Sequence, residues 1–104
     1  MRIISGISKG KKLRTLRGQA IRPTSDRIKE SIFNILGQEV DGTHVLDLFA
    51  GTGNLGIEAL SRGAVRAVFV EKEKLATDLT KKNLSHCGFD DRDRKSTRLN
   101  SSHT

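Results

Sequence analysis

The sequence predicts an α/β fold, in which a parallel sheet is built on a strand–helix–strand unit and is preceded by a small β-hairpin and a helix. Two short apolar stretches, residues 44–49 and 66–70, are each followed by a segment long enough for a helix. A glycine-rich turn separates the first stretch from its helix. Strands joined through a helix pair in parallel with a right-handed crossover, and 104 residues allow one domain at most.

The N-terminal hairpin is predicted from RIISG and KKLRT, which flank the turn-forming residues 7–10. Residues 1–20 are also a basic arm, because residues 1–22 contain no acidic side chain and the rest of the chain sums to zero charge. Segregated positive charge is typical of proteins that contact a polyanion such as nucleic acid. The alternative is a solvated hairpin whose charge only keeps the protein soluble. The seven basic residues are Arg2, Lys9, Lys11, Lys12, Arg14, Arg17 and Arg22.

The first helix is predicted from the segment RPTSD, residues 22–26. Thr24 or Ser25 can cap the helix, and Asp26 suits the positive end of its dipole. The helix extends to about Leu36, where Gly37 can end it. Its apolar residues repeat at helical spacing, which predicts one face turned to the core: Ile28, Ile32, Ile35 and Leu36.

The strand–helix–strand unit begins with the apolar stretch 44–49, interrupted only by Asp47. A helix over residues 54–62 is stopped by Gly63, and a second strand over 66–70 ends before Glu71. A further helix is predicted over residues 73–86, with Cys87 as a small filler residue near its end.

The turn between the first strand and its helix, GTGNLG at residues 51–56, matches the pattern G-x-G-x-x-G. Glu71 follows Gly51 by twenty residues, at the end of the next strand. This context predicts a nucleoside site, because the glycines allow close backbone approach and the acid can accept hydrogen bonds from ribose hydroxyls. The alternative is a turn that serves only to connect strand and helix.

Asp47 helps to choose the ligand, because it lies four residues before Gly51 near the carboxyl end of the strand. A carboxylate there repels a pyrophosphate, at a cost on the order of several kcal/mol if poorly solvated. It attracts a cation instead. S-adenosylmethionine carries an ammonium, a sulfonium and no phosphate, so it fits better than a dinucleotide. The alternative role for Asp47 is to accept hydrogen bonds from local backbone amides.

At this point the chain resembles a known family. The order SGxxKGxKL, RPTSDRIKESIFNILG, VLDLFAGTGNLGIEALSRGA and VFVEK, over residues 1–89, is similar to the RsmD family of bacterial 16S rRNA (guanine-N2)-methyltransferases. The resemblance implies a Rossmann-like class I methyltransferase fold, whose N-terminal half would be residues 21–91. It also implies that S-adenosylmethionine is bound by Asp47, Phe49, Gly51, Thr52, Gly53, Glu71 and, beside the pocket, Thr24. The basic hairpin would meet rRNA through Lys9, Lys11, Lys12, Arg14 and Arg22.

One element that the resemblance implies has no counterpart here. Members of the family carry an Asn/Asp-Pro-Pro-Tyr/Phe motif that holds the target base, as a flipped base requires, whereas this chain has one proline and no tyrosine. We therefore assign no catalytic residue and expect the 104-residue chain to be inactive. Residues 93–103, DRKSTRLNSSH, resemble the in-frame translation of an adapter used in DNA sequencing libraries. Residues 92–104 are accordingly expected to be an artefact without regular structure.

The remaining composition narrows the class of protein. We expect a cytosolic protein, because neither a membrane span nor a secretory signal is recognisable. We also expect the full protein to be monomeric. One cysteine and three scattered histidines favour neither a disulfide nor a metal site. Three functions stay open: a methyltransferase acting on 16S rRNA or the assembling small ribosomal subunit, an RNA-binding module without catalysis, and an NAD-dependent oxidoreductase. Asp47 and the basic arm disfavour the last.

Overall fold

The fold was analysed in a computed structural model that describes residues 1–15, 26–48 and 53–89, together with the backbone of residues 97–100. Three helices and three strands are present in these residues, and a 3-10 turn, Gly37–Val40, follows the first helix. The helices are α1 (Asp26–Leu36), α2 (Asn54–Ser61) and α3 (Lys74–His86), and the strands are β1 (His44–Leu48), β2 (Arg66–Val70) and β3 (Thr97–Asn100).

The sheet confirms the predicted parallel strand–helix–strand unit. Its strand order is β1-β2-β3, and both neighbouring pairs are parallel. The register places His44 opposite Arg66 and Leu48 opposite Val70. Because parallel strands end at the same edge of a sheet, the carboxyl ends of β1 and β2 lie side by side, with α2 connecting the two strands over the sheet.

Strand β3 departs from the expectation of an irregular tail. Its four residues pair in parallel with β2, from Ala67 opposite Thr97 to Val70 opposite Asn100. The pairing has a simple physical basis, since the outer edge of β2 presents backbone N–H and C=O groups that any extended segment can satisfy. The adapter-like origin of residues 93–103 stays a prediction.

The N-terminal hairpin is confirmed as a short antiparallel pair around the bridge between Arg2 and Lys12. The Ile3 amide donates to the Lys11 carbonyl at 2.8 Å, and the Leu13 amide donates to the Met1 carbonyl at 3.0 Å. Ile3 and Leu13 are both buried in the core. The hairpin therefore packs on the body of the molecule through alternating apolar residues while its lysines face outward.

Helix α1 has the predicted bounds, but the predicted buried face is wrong. The two buried residues of α1 are Lys29 and Phe33, whereas its apolar stripe is exposed to solvent. Phe33 lies under the guanidinium of Arg62, whose Cζ is 4.7 Å from the ring centroid. The helix is thus oriented by one aromatic contact and one buried lysine. The exposed residues are Ile28, Ile32, Ile35 and Leu36.

Helix α2 lies at the centre of the packing, and seven of its eight residues are buried. One side meets the sheet, where Gly56 approaches the ring of Phe69 in β2. The other side meets the hairpin, where the Ile7 amide donates to the Ser61 carbonyl at 2.9 Å. The core cluster around this helix includes Ile3, Leu13, Phe33, Val40, Ile57, Leu60, Phe69, Leu84, Cys87 and Phe89.

Cys87 follows α3 as a buried residue, as expected for a filler near a helix end. Burial raises the pKa of its thiol, which keeps the sulfur in its unreactive protonated form. Within the described residues, no helix combines the length and the apolar character needed to cross a membrane.

Candidate cofactor site and basic surface

The candidate cofactor site lies where β1 and β2 end and α2 begins. Asp47 is the one buried residue in the pattern of β1, at 8% exposure, while the flanking Leu46 and Leu48 are exposed. Its carboxylate points toward α2, since Oδ2 accepts a hydrogen bond of 3.1 Å from the amide of Gly56. Asp47 therefore does accept a local backbone amide, which is the alternative role raised by the sequence.

The electrostatics of Asp47 show that this one hydrogen bond does not compensate for burial. Desolvation by burial raises the pKa of the carboxyl from 3.8 to about 6, the amide of Gly56 lowers it, and the charge of Glu71 raises it further. A cation bound beside Asp47 would oppose both of the effects that raise its pKa. A bound anion would reinforce them. The site thus favours a positively charged group.

Two glycines of the G-x-G-x-x-G pattern are described, and at each position there is a steric reason for having no side chain. Gly53 precedes α2 in the left-handed region, at φ 84°, and a Cβ there would lie 2.8 Å from Cγ2 of Thr80. A Cβ on Gly56 would lie 2.3 Å from Cε1 of Phe69. Gly56 is therefore the packing glycine of the pattern, which lets α2 lie directly on β2. Gly53 supplies the backbone conformation that starts the helix beside the site.

Glu71 follows the last residue of β2 and is partly buried. One of its carboxylate oxygens, Oε2, accepts a hydrogen bond of 3.0 Å from the amide of Glu73, just before α3. This short loop holds the acid at the same edge of the sheet as Asp47. The two acids that the sequence singled out are thus brought together, and their charges interact.

Four of the predicted cofactor residues lie outside the described residues: Phe49, Gly51, Thr52 and Thr24. Their assignments stay predictions. The flanks of the turn, Asp47 on one side and Gly53 on the other, are described, and the amide of Gly56 in α2 donates a hydrogen bond to Asp47.

A groove of about 400 Å³ lies beside Asp47, between α1 and β1. Its walls are mostly aliphatic, and two carboxylates, those of Asp47 and Glu39, also line it. Such a combination suits an organic ligand that carries positive charge better than it suits an anionic ligand. The lining residues include Ile32, Leu36, Val45, Leu46, Asp47 and Leu55.

A buried ionic network that the sequence patterns did not predict joins α1, α2 and the hairpin. Lys29 and Glu58 are fully buried, and Nζ of Lys29 lies 3.1 Å from Oε1 of Glu58. The same Nζ donates to Oδ1 of Asn54 at 2.7 Å and to the Arg2 carbonyl at 2.6 Å. Asn54 is the residue directly after Gly53, so the lysine fixes the start of α2 next to the candidate cofactor site.

Glu58 extends this network into the hairpin. Its two oxygens accept hydrogen bonds from the amides of Ile4, at 2.9 Å, and Ser5, at 3.1 Å, and Oε2 also lies 2.7 Å from Nε of Arg62. The sequence contains a signal for the pair of Lys29 and Glu58 that is recognisable only in hindsight. Lys29 lies on the same helical face as Phe33, and Glu58 lies among apolar residues of α2.

The predicted RNA-binding residues of the hairpin, Lys9, Lys11, Lys12 and Arg14, are all exposed to solvent. Arg22 lies outside the described residues. In the part of the chain that the structure describes, no group of three or more histidine, cysteine or acidic side chains is arranged to hold a metal ion.

Comparison with known proteins places this chain in a family. The sequence profile described as Conserved hypothetical protein 95 matches residues 1–104. The chain is 52% identical over 84 residues to the YlbH protein of Bacillus subtilis, covering 81% of this chain and 46% of that protein. It is 46% identical over 84 residues to the ribosomal RNA small subunit methyltransferase D of Haemophilus influenzae, covering 81% and 44%. The chain thus spans about half the length of these relatives.

Solved structures share the fold. The structure of yhhF, a candidate methyltransferase of Escherichia coli, superposes with a TM-score of 0.78 at 34% identity, covering 99% of this chain and 52% of that one. An RNA methyltransferase from Salinibacter ruber, in complex with S-adenosyl-L-homocysteine, shares the fold at 21% identity and a TM-score of 0.65, covering 78% and 50%.

The chain belongs to the Conserved hypothetical protein 95 family, which is the RsmD family of class I methyltransferase fold.

Proposed function

We propose that the protein to which this chain corresponds is an S-adenosylmethionine-dependent methyltransferase of ribosomal RNA, and that its target is the N2 amine of a guanine in 16S rRNA. The observation that carries the proposal is the buried carboxylate of Asp47 at the carboxyl end of β1, beside a glycine turn and next to Glu71. The name of the Haemophilus influenzae relative, ribosomal RNA small subunit methyltransferase D, supports the substrate class.

The chemistry of the acids supports S-adenosylmethionine over a dinucleotide. A carboxyl whose pKa is raised to about 6 by burial and a neighbouring acid is stabilised by an approaching cation. The ammonium and sulfonium of S-adenosylmethionine supply that charge, while Glu71 would accept hydrogen bonds from the ribose. A pyrophosphate would add a third negative group to the same edge of the sheet. The Salinibacter ruber neighbour, which holds S-adenosyl-L-homocysteine, has the same fold.

We propose that the 104-residue chain itself binds S-adenosylmethionine without transferring its methyl group. One proline and no tyrosine leave no position for the Asn/Asp-Pro-Pro-Tyr/Phe motif that the family resemblance implies. Without a group that orients the amine of a flipped guanine, the reaction loses the advantage of proximity. An RNA-binding module without catalysis is therefore the second candidate for this chain, and the exposed lysines of the hairpin favour it.

The test of the cofactor assignment is calorimetric titration of the purified chain with S-adenosylmethionine, S-adenosyl-L-homocysteine and NAD. We expect binding of the first two and a loss of at least about tenfold, or 1.4 kcal/mol, on Asp47→Ala. Asp78→Ala is the control, because Asp78 lies on α3 with its side chain 45% exposed. Equal effects of the two substitutions, or binding of NAD alone, would contradict the assignment.

The test of the substrate uses the longest reading frame recovered from genomic DNA, with tritiated S-adenosylmethionine and 16S rRNA or small subunits as acceptor. Nucleoside analysis should identify N2-methylguanosine, and the 104-residue chain should give no transfer above background. Methylation at another atom would refute the guanine-N2 assignment, and turnover by the 104-residue chain would refute its proposed inactivity.

A further inference from the structure

A second groove, of about 580 Å³, lies between the hairpin and α3, away from Asp47. It is formed by two elements that are far apart in sequence, the second arm of the hairpin and the last turns of α3. The lining residues are Lys12, Leu13, Arg14, Lys82, Ser85 and His86. Of the described residues that line this groove, none carries a carboxylate, and three carry a fixed positive charge.

Hydrogen bonds hold the two walls of the groove, the hairpin and α3, in a fixed position relative to each other. Asn83, which is buried in α3, accepts a hydrogen bond of 2.8 Å from the Arg14 amide and donates one of 3.1 Å to the Arg14 carbonyl. The backbone between Lys12 and Arg14 is therefore fixed against α3, and Lys82 precedes the residue that holds it. Hydrogen bonds from one buried amide side chain to both backbone groups of a single residue form a rigid joint.

The end of α3 does not oppose an anion as strongly as a bare helix terminus would. The carbonyl groups of Asn83, Leu84 and Ser85 accept hydrogen bonds from the amides of Cys87, Phe89 and Gly88, at 2.9 to 3.0 Å. These groups carry much of the negative end of the helix dipole. Because they are engaged by the following residues, the exposed surface is dominated by the charges of Lys12, Arg14 and Lys82.

From these observations we infer that the groove binds the phosphate backbone of RNA, and that Lys82 of α3 contacts RNA together with Lys12 and Arg14 of the hairpin. The inference rests on the proposed function and extends its RNA surface from the N-terminal arm to α3. The contact is to phosphates and carries no base specificity, since the described lining has charged and hydroxyl groups and no aromatic ring beyond His86.

The experiment measures binding of a fluorescein-labelled oligouridine to the 104-residue chain by fluorescence anisotropy over a range of salt concentrations. Lys82→Gln is compared with Lys81→Gln, which removes the same charge from the neighbouring exposed residue of α3 that does not line the groove. One lost phosphate contact should reduce the slope of log K against log salt by about 0.7 and weaken binding about fivefold near 0.1 M salt. Lys81→Gln should leave the slope unchanged.

If the two variants give equal slopes and the wild-type chain still binds RNA, the proposal that the groove binds RNA is overturned. The hairpin then remains as the RNA surface. No binding by the wild-type chain would overturn both the groove and the RNA-binding part of the proposed function. A third outcome is that the chain binds vesicles of anionic phospholipid but not RNA, and that Lys82→Gln abolishes the vesicle binding. This outcome would overturn the proposal that the groove binds RNA and would indicate a membrane-binding surface instead. Calorimetry with S-adenosyl-L-homocysteine separates these results from the cofactor site, because Lys82→Gln should not alter that affinity.

Discussion

Asp47 shows at the scale of one residue how burial perturbs an ionisable group at the candidate cofactor site. Strand β1 buries an acid and exposes two leucines, the reverse of what hydrophobicity alone predicts. The amide of Gly56 gives the carboxylate one hydrogen bond, yet its pKa still rises to about 6. A charge held in a position that destabilises it is characteristic of functional sites, where a ligand supplies the missing counter-charge.

The first prediction concerns the pH dependence of stability. Because the pKa of Asp47 is raised on folding, from 3.8 to about 6, its contribution is most favourable below the unfolded value and is lost as pH rises through the folded value. A rise of the pKa from 3.8 to about 6 corresponds to about 3 kcal/mol at most. Asp47→Asn retains an oxygen for the Gly56 amide and cannot ionise, so it should stabilise the chain at about pH 8 and have little effect at about pH 4.

Urea unfolding at the two pH values measures this difference. Asp78→Asn is the control, since Asp78 forms an exposed pair with Lys74 and should show no comparable dependence. A variant Asp47→Asn that is less stable than the wild type at the higher pH would show that the ionised carboxylate stabilises the fold.

At the scale of elements, α2 is positioned by one close contact with the sheet and by an ionic network with α1 and the hairpin. Gly56 brings the helix against Phe69, which is fully buried. Glu58 binds Lys29 on one side and the amides of Ile4 and Ser5 on the other. The start of α2, which borders the candidate cofactor site, is thus tied to the arm that is proposed to bind RNA.

Gly56→Ala should destabilise the fold, although the same change in an exposed helix would stabilise it by about 1 kcal/mol. A Cβ at this position would lie 2.3 Å from Cε1 of Phe69, so ring or helix must shift, at a cost of about 1–3 kcal/mol. Thermal unfolding measures the loss, and Phe69→Leu in the Gly56→Ala background should recover part of it. A stabilised Gly56→Ala variant would show that α2 can move away from β2 at little cost.

Lys29→Met should destabilise the fold by about 3–5 kcal/mol, because it leaves Glu58 buried without its lysine. Arg62 and the amides of Ile4 and Ser5 still contact Glu58, which favours the lower end of this range. Chemical denaturation measures the change, and hydrogen exchange at Ile4 and Ser5 should become faster as the hairpin loosens.

The matched control is Lys74→Met, which breaks a pair with Asp78 at 3.4 Å between two exposed side chains. Its effect should stay within about 0.5 kcal/mol. Comparable losses from the two lysines would mean that the buried network contributes no more than a surface ion pair.

At the scale of the molecule, several large apolar side chains of the described residues are exposed to solvent. Ile35 is 85% exposed, Ile28 56%, Leu46 61% and Leu48 56%, and β1 is an edge of the described sheet. Contiguous apolar side chains beside an open strand edge favour association between molecules.

We therefore expect the 104-residue chain to self-associate as its concentration rises, and Ile35→Glu to reduce that association. The substitution changes an exposed residue of α1, so the free energy of unfolding should change by no more than about 0.5 kcal/mol. Light scattering after size-exclusion chromatography measures the mass. A wild-type chain that stays monomeric over the accessible concentration range would contradict this prediction.

The sequence by itself determined the order of elements and the chemistry of the edge at which they meet. Gly37, Gly63 and the apolar stretches mark boundaries that depend on local backbone preferences, so α1, β1, β2 and α3 begin and end within a residue or so of the predicted positions. Asp47 and Glu71 could be paired in advance because the carboxyl ends of parallel strands share one edge.

Tertiary structure alone decided which side of each element is buried. The helical period of Ile28, Ile32, Ile35 and Leu36 marks a stripe correctly, but the core lies on the side of Lys29 and Phe33, since Glu58 and Arg62 lie there. Likewise, the groove of Lys12, Arg14 and Lys82 depends on contacts between distant segments, among them the hydrogen bonds by which Asn83 holds the hairpin against α3. These contacts join residues that are far apart in the chain. Hydrophobic periodicity is a local property of the sequence, so it carries no information about which distant residue a side chain contacts.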